Sequence, residues 1–228
     1  MNWRSICSGF SSATVIGVAA LCMPQALHAQ GTENGGAEES QTVILIAAPN
    51  LVDANYRRAV IVVTPTEGDR HIGVIVNRPT RRSLASLFPE HAPSKAVVEP
   101  VYFGGPMSRT ALFAVARGEQ KPQPGAIPLM KNLYLALTVT MVDDVIEHTP
   151  NEARYYVGNV QWGAGQLRDE LKRGVWNVLN ADPEVVLTKD PEHLWEQLSR
   201  MARAVMALGE NLPPVRPPAV MGHAPDRV

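Results

Sequence analysis

Trp162-Gly163-Ala164-Gly165-Gln166-Leu167 decides how this chain is read, because two glycines bracket the start of a predicted helix directly after the strand-like Arg154-Tyr155-Tyr156-Val157. Glycine takes backbone angles and permits close approaches that a Cβ forbids, so the junction either packs tightly or presents its amides to a ligand. A dinucleotide-binding turn is the sharpest form of the second option. Against it, Arg168 stands where the third glycine of that motif belongs, and no βαβ continuation with a ribose-binding acid follows at the usual spacing. A packing turn, in something other than a plain Rossmann sheet, is the better reading.

Upstream, Val43 to Ala47, Ala59 to Thr64 and His71 to Val76 are compact β-branched runs bounded by Pro, Asp, Gly or Asn, which predicts adjacent buried strands. Glu67-Gly68-Asp69 between the last two has hairpin chemistry. Ser83 to Phe88 reads as a short helix capped by Ser83 and stopped by Pro89. Val101 to Phe103, Leu112 to Ala116 and Leu133 to Leu137 continue the strand series, and Pro122, Pro124 and Pro128 keep the intervening segment extended. The spacing predicts a helix over Thr140 to His148, with Met141, Val145 and His148 on one face and Asp143-Asp144 favouring its N-terminal half through the dipole. Downstream, Gly165 to Lys172 is predicted helical and Val185 to Thr188 a late strand. Glu192 to Ala207 is the strongest helix, with a core stripe of Leu194, Trp195, Leu198, Met201, Ala202 and Val205.

With 228 residues, 45% of them hydrophobic, the chain can bury a substantial core, and the folded region is expected over 42–208. Residues 1–29 follow a different logic. Arg4 supplies a positive start, Ile6 to Met23 an apolar and small-residue stretch, and Leu27-His28-Ala29 ends on a small residue, the pattern of an export signal cleaved after Ala29. The apolar stretch is broken by serines and short beside the ~20 residues of a spanning helix, so no stable membrane anchor is expected after cleavage. The expected location is periplasmic or secreted, with a cytoplasmic protein as the alternative.

Both cysteines, Cys7 and Cys22, lie inside that segment. Cleavage removes every thiol, and with it disulfides, cysteine nucleophiles and thiolate metal sites. Residues 30–41 are Gly-, Glu- and Ser-rich and read as a flexible linker; residues 209–228 carry Pro213, Pro214, Pro217, Pro218 and Pro225 and read as a disordered tail. The formal charge of −1 becomes one unit more negative when Arg4 leaves, which gives no electrostatic footprint for nucleic acid. Arg78, Arg81 and Arg82 form the densest basic patch, in a Pro-containing loop, and read as solvated.

Chemistry is thinner. Gly104-Gly105-Pro106 follows a predicted strand and offers backbone amides of the kind an oxyanion site uses, with Ser108 nearby, but no nucleophile elbow, base or orienting acid accompanies it. His71, His91, His148, His193 and His223 are scattered without metal-ligand spacing, and no metal or cofactor is expected. Asp143, Asp144, Glu147 and Glu152 read as solvated or capping carboxylates. Asn77-Arg78-Pro79 is more specific, because asparagine can close a turn and proline forces Arg78 out of α geometry.

Leu45-Ile46-Ala47-Ala48-Pro49, Gly73-Val74-Ile75-Val76-Asn77-Arg78-Pro79, Val101-Tyr102-Phe103-Gly104-Gly105-Pro106 and Trp162 to Leu167, in this order and with Leu112-Phe113, Trp176 and Leu194-Trp195, resemble the YqgE/AlgH family. The resemblance implies an α/β fold of coiled or bifurcated mixed β-sheets with flanking helices. It implies no particular reaction, and it attaches a transcriptional-regulator label, tied to alginate production, to some members. Ala54, Asn159-Val160-Gln161, Ala164 and Arg168 depart from the family pattern near the glycine junction. The function expected is therefore a non-enzymatic exported binding or accessory protein. Its partner is a protein or small-molecule ligand, and its candidate surface is made of Asn77, Arg78, Gly104, Gly105, Trp162, Gly163, Gly165 and Gln166. A cytoplasmic regulator, or a hydrolase working around Gly104, Ser108 and Gly165, is the alternative.

Overall fold

The computed structural model describes residues 42–118 and 124–210. The elements run β1 (Val43–Ala47), β2 (Val60–Thr66), β3 (Arg70–Ile75), β4 (Pro79–Ser83), α1 (Leu84–Leu87), a 3₁₀ turn (Ala92–Ala96), β5 (Pro100–Phe103), β6 (Met107–Arg117), β7 (Ala126–Met130) and β8 (Leu133–Ala136). They continue with α2 (Val139–His148), β9 (Ala153–Trp162), α3 (Gln166–Lys172), β10 (Trp176–Asn180), α4 (Pro183–Val186) and α5 (Leu194–Glu210). The main sheet path is β10-β1-β2-β3-β9-β6-β8-β7, with β5 and β4 branching from β9. Among the described residues no helix is long and apolar enough to cross a membrane.

The near-continuous apolar sequence of β1 and β2 follows from burial of both their faces. Ile44, Ile46, Val60 and Val62 join a core with Leu194, Leu198 and Ala202 of α5, while Leu45, Ala47, Ile61 and Val63 join another with Trp162, Leu167 and Trp176. Successive side chains of a strand point to opposite faces, so one run feeds two cores. The first core also takes Phe113, Val115 and Tyr156 from the far half of the sheet; Ala114, Ala116 and Tyr155, their neighbours in sequence, pack under Val142, Val145 and Ile146 of α2.

Strand β9 is where the sheet divides. Along one edge it pairs with β6 over most of its length. Along the other, Trp162, Gln161 and Val160 pair antiparallel with β3, while Tyr156 and Val157 pair parallel with β5. At the fork Gly158 has φ +77°, and a Cβ there would lie 2.2 Å from the Gly105 carbonyl oxygen; a Cβ on Gly104 would lie 2.2 Å from that of Gly158. Two backbones touch with no side chain between them. Gly104 N–H donates to Val157 at 2.9 Å and its carbonyl accepts from Ile75 N–H at 2.9 Å, so one residue joins β3, β5 and β9. This is the bifurcated mixed sheet with flanking helices, and not a Rossmann fold.

Several expectations are corrected. The late strand expected at Val185 to Thr188 is absent: Val185 and Val186 end the helix α4, because the Asp182 side chain caps Glu184 N–H and Pro183 presets the first helical turn. The late strand is instead β10, paired antiparallel with β1. The Pro128 segment is itself a strand, β7, at the sheet edge where proline is tolerated. In α2 the buried residues are Val142, Val145 and Ile146, and His148 is exposed. Helix α5 starts at Leu194, and Met201 and Val205 are exposed at 56% and 62% while Leu194, Leu198 and Ala202 are buried. The export signal, the linker and residues 211–228 of the tail lie outside the described residues, while residues 209 and 210, expected to open the tail, close α5.

Candidate functional site

The glycine junction follows β9 directly. Gly165 caps α3 with φ +76° and donates its N–H to the Asp69 carbonyl at 3.3 Å. Gly163 N–H donates to Gln166 Oε1 at 3.1 Å, and Gln166 Nε2 donates to Glu170 Oε1 at 2.9 Å. Arg168 forms an ion pair with Asp69 beside the turn. The amides of Gly163 and Gly165 are thus satisfied within the protein, and the glycines serve the turn itself.

What the junction builds is a cleft of about 240 Å³ beside it. Trp162 Nε1 and Trp176 Nε1 both donate to Glu170 Oε2, at 2.9 and 2.8 Å. The two indole rings meet edge to face at 6.4 Å, and Tyr56 meets Trp176 edge to face at 6.0 Å. Asp53, Gln161, Gln166, Glu170 and Arg173 complete the polar lining. Burial pushes the Tyr56 phenol above its ordinary value, with the Asp53 and Glu170 carboxylates adding to the effect. The arrangement is an aromatic-walled pocket with a fixed carboxylate.

Of the eight residues expected to form a surface, Trp162 and Gln166 line this cleft. Asn77 and Arg78 act one step away: Asn77 Oδ1 accepts from Val60 N–H and its Nδ2 donates to the Arg58 carbonyl, both at 2.9 Å. Arg78 Nη2 donates to the Arg57 carbonyl at 3.0 Å, with the guanidinium 5.9 Å from the Phe103 ring centroid. Burial, then Arg57, lowers the Arg78 pKa. These bonds brace the 53–59 segment that carries Asp53 and Tyr56 into the cleft. Gly104 and Gly105 are buried at the fork of the sheet, and Ser108 is an exposed residue of β6 with φ +49°. Tyr56, Glu170 and Trp176 are not among the residues expected to form the surface; the signal available was Glu170 one helical turn after Gln166.

A second gathering of side chains lies elsewhere. His91 Nδ1 is 2.7 Å from Ser94 Oγ and His91 Nε2 is 3.1 Å from Asp143 Oδ1. This has the composition of a hydrolytic relay, but Ser94 is 0% exposed, so its hydroxyl is beyond the reach of a substrate. Glu147, one turn after Asp143 on α2, brings its carboxylate to the same place, and ligand atoms of His91, Asp143 and Glu147 all lie within 4.8 Å of one another. Nothing in the local sequence pattern links His91 to α2.

A third feature is Arg154, 2% exposed on β9. It donates to Glu99 at 2.8 Å through Nε and to the carbonyls of Val186 and Thr188 at 3.1 and 2.8 Å, with the Tyr102 ring 4.5 Å from its guanidinium carbon. The group is consumed by structure: it fastens the segment after α4 to the sheet.

The model of the AlgH-like family matches residues 44–206. Relatives include UPF0301 proteins of Streptomyces coelicolor, 29% identical over 75% of this chain and 90% of the relative, and of Mycobacterium tuberculosis, 29% identical over 69% and 79%. The solution structure of AlgH from Pseudomonas aeruginosa superposes with a TM-score of 0.58 at 23% identity, covering 84% of this chain and all of that one. A crystal structure of a Corynebacterium diphtheriae protein gives 0.58 at 22% identity, over 72% and 87%. Fork, glycine junction and family model coincide along the same residues, and the chain belongs to the AlgH-like family.

Proposed function

We propose that this chain is a non-catalytic, exported binding protein whose ligand carries a cationic nitrogen into the cleft between Tyr56, Trp162 and Trp176. One observation carries the reading: the Glu170 carboxylate is locked by two indole N–H groups and Gln166 inside an aromatic-walled cleft. A carboxylate accepts through about four lone-pair sites, so three donors leave room for a fourth. Asp53 adds a second carboxylate at the lining against the single guanidinium of Arg173.

The test is a titration of tryptophan emission with phenethylammonium and with its neutral counterpart 2-phenylethanol. The ammonium is expected to bind about tenfold more tightly, since one charge-assisted hydrogen bond contributes roughly 1.5–3 kcal/mol, and Glu170→Gln is expected to abolish the difference. Equal affinity for the two probes, or no response to either, sinks the reading. Export is tested separately by N-terminal sequencing of fractionated cells: a chain beginning at Gln30 supports it, and an intact cytoplasmic chain overturns it.

A further inference from the structure

We propose that His91, Asp143 and Glu147 bind a divalent transition ion, zinc above all, through one imidazole nitrogen and two carboxylates. The three ligand atoms converge from two parts of the chain, within 4.8 Å of one another. Ions of this class sit about 2.0–2.2 Å from nitrogen and oxygen ligands, so ligands of one ion stand at most roughly 4.4 Å apart. A small rotation of an exposed carboxylate closes the set. One imidazole with two carboxylates is a borderline-hard donor set that suits zinc, and in the divalent series it places zinc above manganese.

Two further features favour an ion there. Ser94, fully buried, holds His91 Nδ1 at 2.7 Å, which fixes the ring with Nε2 turned to Asp143. Metal-ligating histidines are oriented in this way, by a hydrogen bond at the other ring nitrogen. Glu147 also stands one turn after Asp143 and next to the last residue of α2. Like charges at that spacing repel, and a carboxylate in the last turn opposes the helix dipole. A divalent ion offsets both penalties at once. His91 and Asp143 also border a groove of about 350 Å³ walled by Phe88, Leu112, Val139 and Ile146.

The experiment uses the full chain, stripped with chelator and titrated with zinc by calorimetry. One equivalent is expected to bind. His91→Ala, Asp143→Asn and Glu147→Gln are each expected to weaken it about tenfold or more. His148→Ala and His193→Ala are the controls, because those histidines sit in exposed pairs with Asp144 and Asp190, and they are expected to leave the affinity unchanged. Cobalt substitution gives a second readout, a visible d–d absorption lost in Glu147→Gln. Apo melting temperatures confirm that each variant is folded; Glu147→Gln alters an exposed side chain and is the decisive case. Absence of a stoichiometric site, or unchanged zinc binding in folded Glu147→Gln, overturns the proposal.

Discussion

His71 shows how one side chain ties stability to pH. It lies on β3 opposite Trp162, and its Nδ1 is buried without a hydrogen-bond partner. Burial holds its pKa below the ordinary histidine value; Asp69 opposes this and Arg168 adds to it. The folded protein therefore binds a proton at His71 less readily than the unfolded chain does. Stability from this site is fully present above the unfolded pKa and is lost as pH falls through the folded one. Urea unfolding of the wild type is expected to weaken from pH 7.5 to 5.5, and His71→Gln to reduce that dependence. An identical pH slope in the variant would show that His71 is not the group responsible. The same scale explains why the cleft was only half legible: Trp162 and Gln166 belong to one readable motif, whereas Tyr56 and Trp176 reach it through tertiary pairing.

Among the elements, β9 does the most to set the architecture, and its glycine can be tested against another. Gly158→Ala places a methyl 2.2 Å from the Gly105 carbonyl oxygen and 2.9 Å from that of Met107, at φ +77°. Gly174→Ala meets the same backbone penalty at φ +69° with nothing within 4 Å. The left-handed conformation alone costs about 1–2 kcal/mol. Gly174→Ala is expected to lose about that much in chemical denaturation, and Gly158→Ala to lose at least about 2 kcal/mol more, as overpacking adds its own penalty. Equal losses would remove the fork from the account. Strands buried on both faces, β1 and the first half of β2, were legible because nearly every position there is apolar. The edge strands were not: β7 contains Pro128, and β10 carries Asn177 and Asn180 and exposes Val178, so neither shows a continuous run. For α4 the sequence carries two opposed signals, the Asp182-Pro183 cap of a helix and the β-branched pair Val185-Val186 of a strand, and the cap prevails.

Across the molecule, the fork forces one sheet to serve three cores, and Arg154 secures the boundary between them. It stands on β9 between Ala153 and Tyr155, which face the α2 core, while its guanidinium reaches Glu99 and the carbonyls of Val186 and Thr188 at the other side, over Tyr102. Val186, whose carbonyl it holds, is packed in the same core as Leu194 and Leu198 of α5. Removing the guanidinium therefore does two things: it leaves two carbonyls and a carboxylate without their donor, and it frees the segment that delivers α5 to the sheet. Glu99 is 46% exposed and returns to water, so the loss falls on the two carbonyls left without a donor, at about 1–3 kcal/mol each, and Arg154→Ala is expected to unfold at lower urea concentration. Arg154→Lys is expected to recover little, because a point charge cannot reach Glu99 and two carbonyls in the fork geometry of arginine. Hydrogen exchange distinguishes this from a purely local loss. Faster exchange is expected in α4 and α5 together, with the β1–β2 ladder changing only through global unfolding; protection unchanged in α5 would mean that Arg154 holds its neighbours and nothing beyond them.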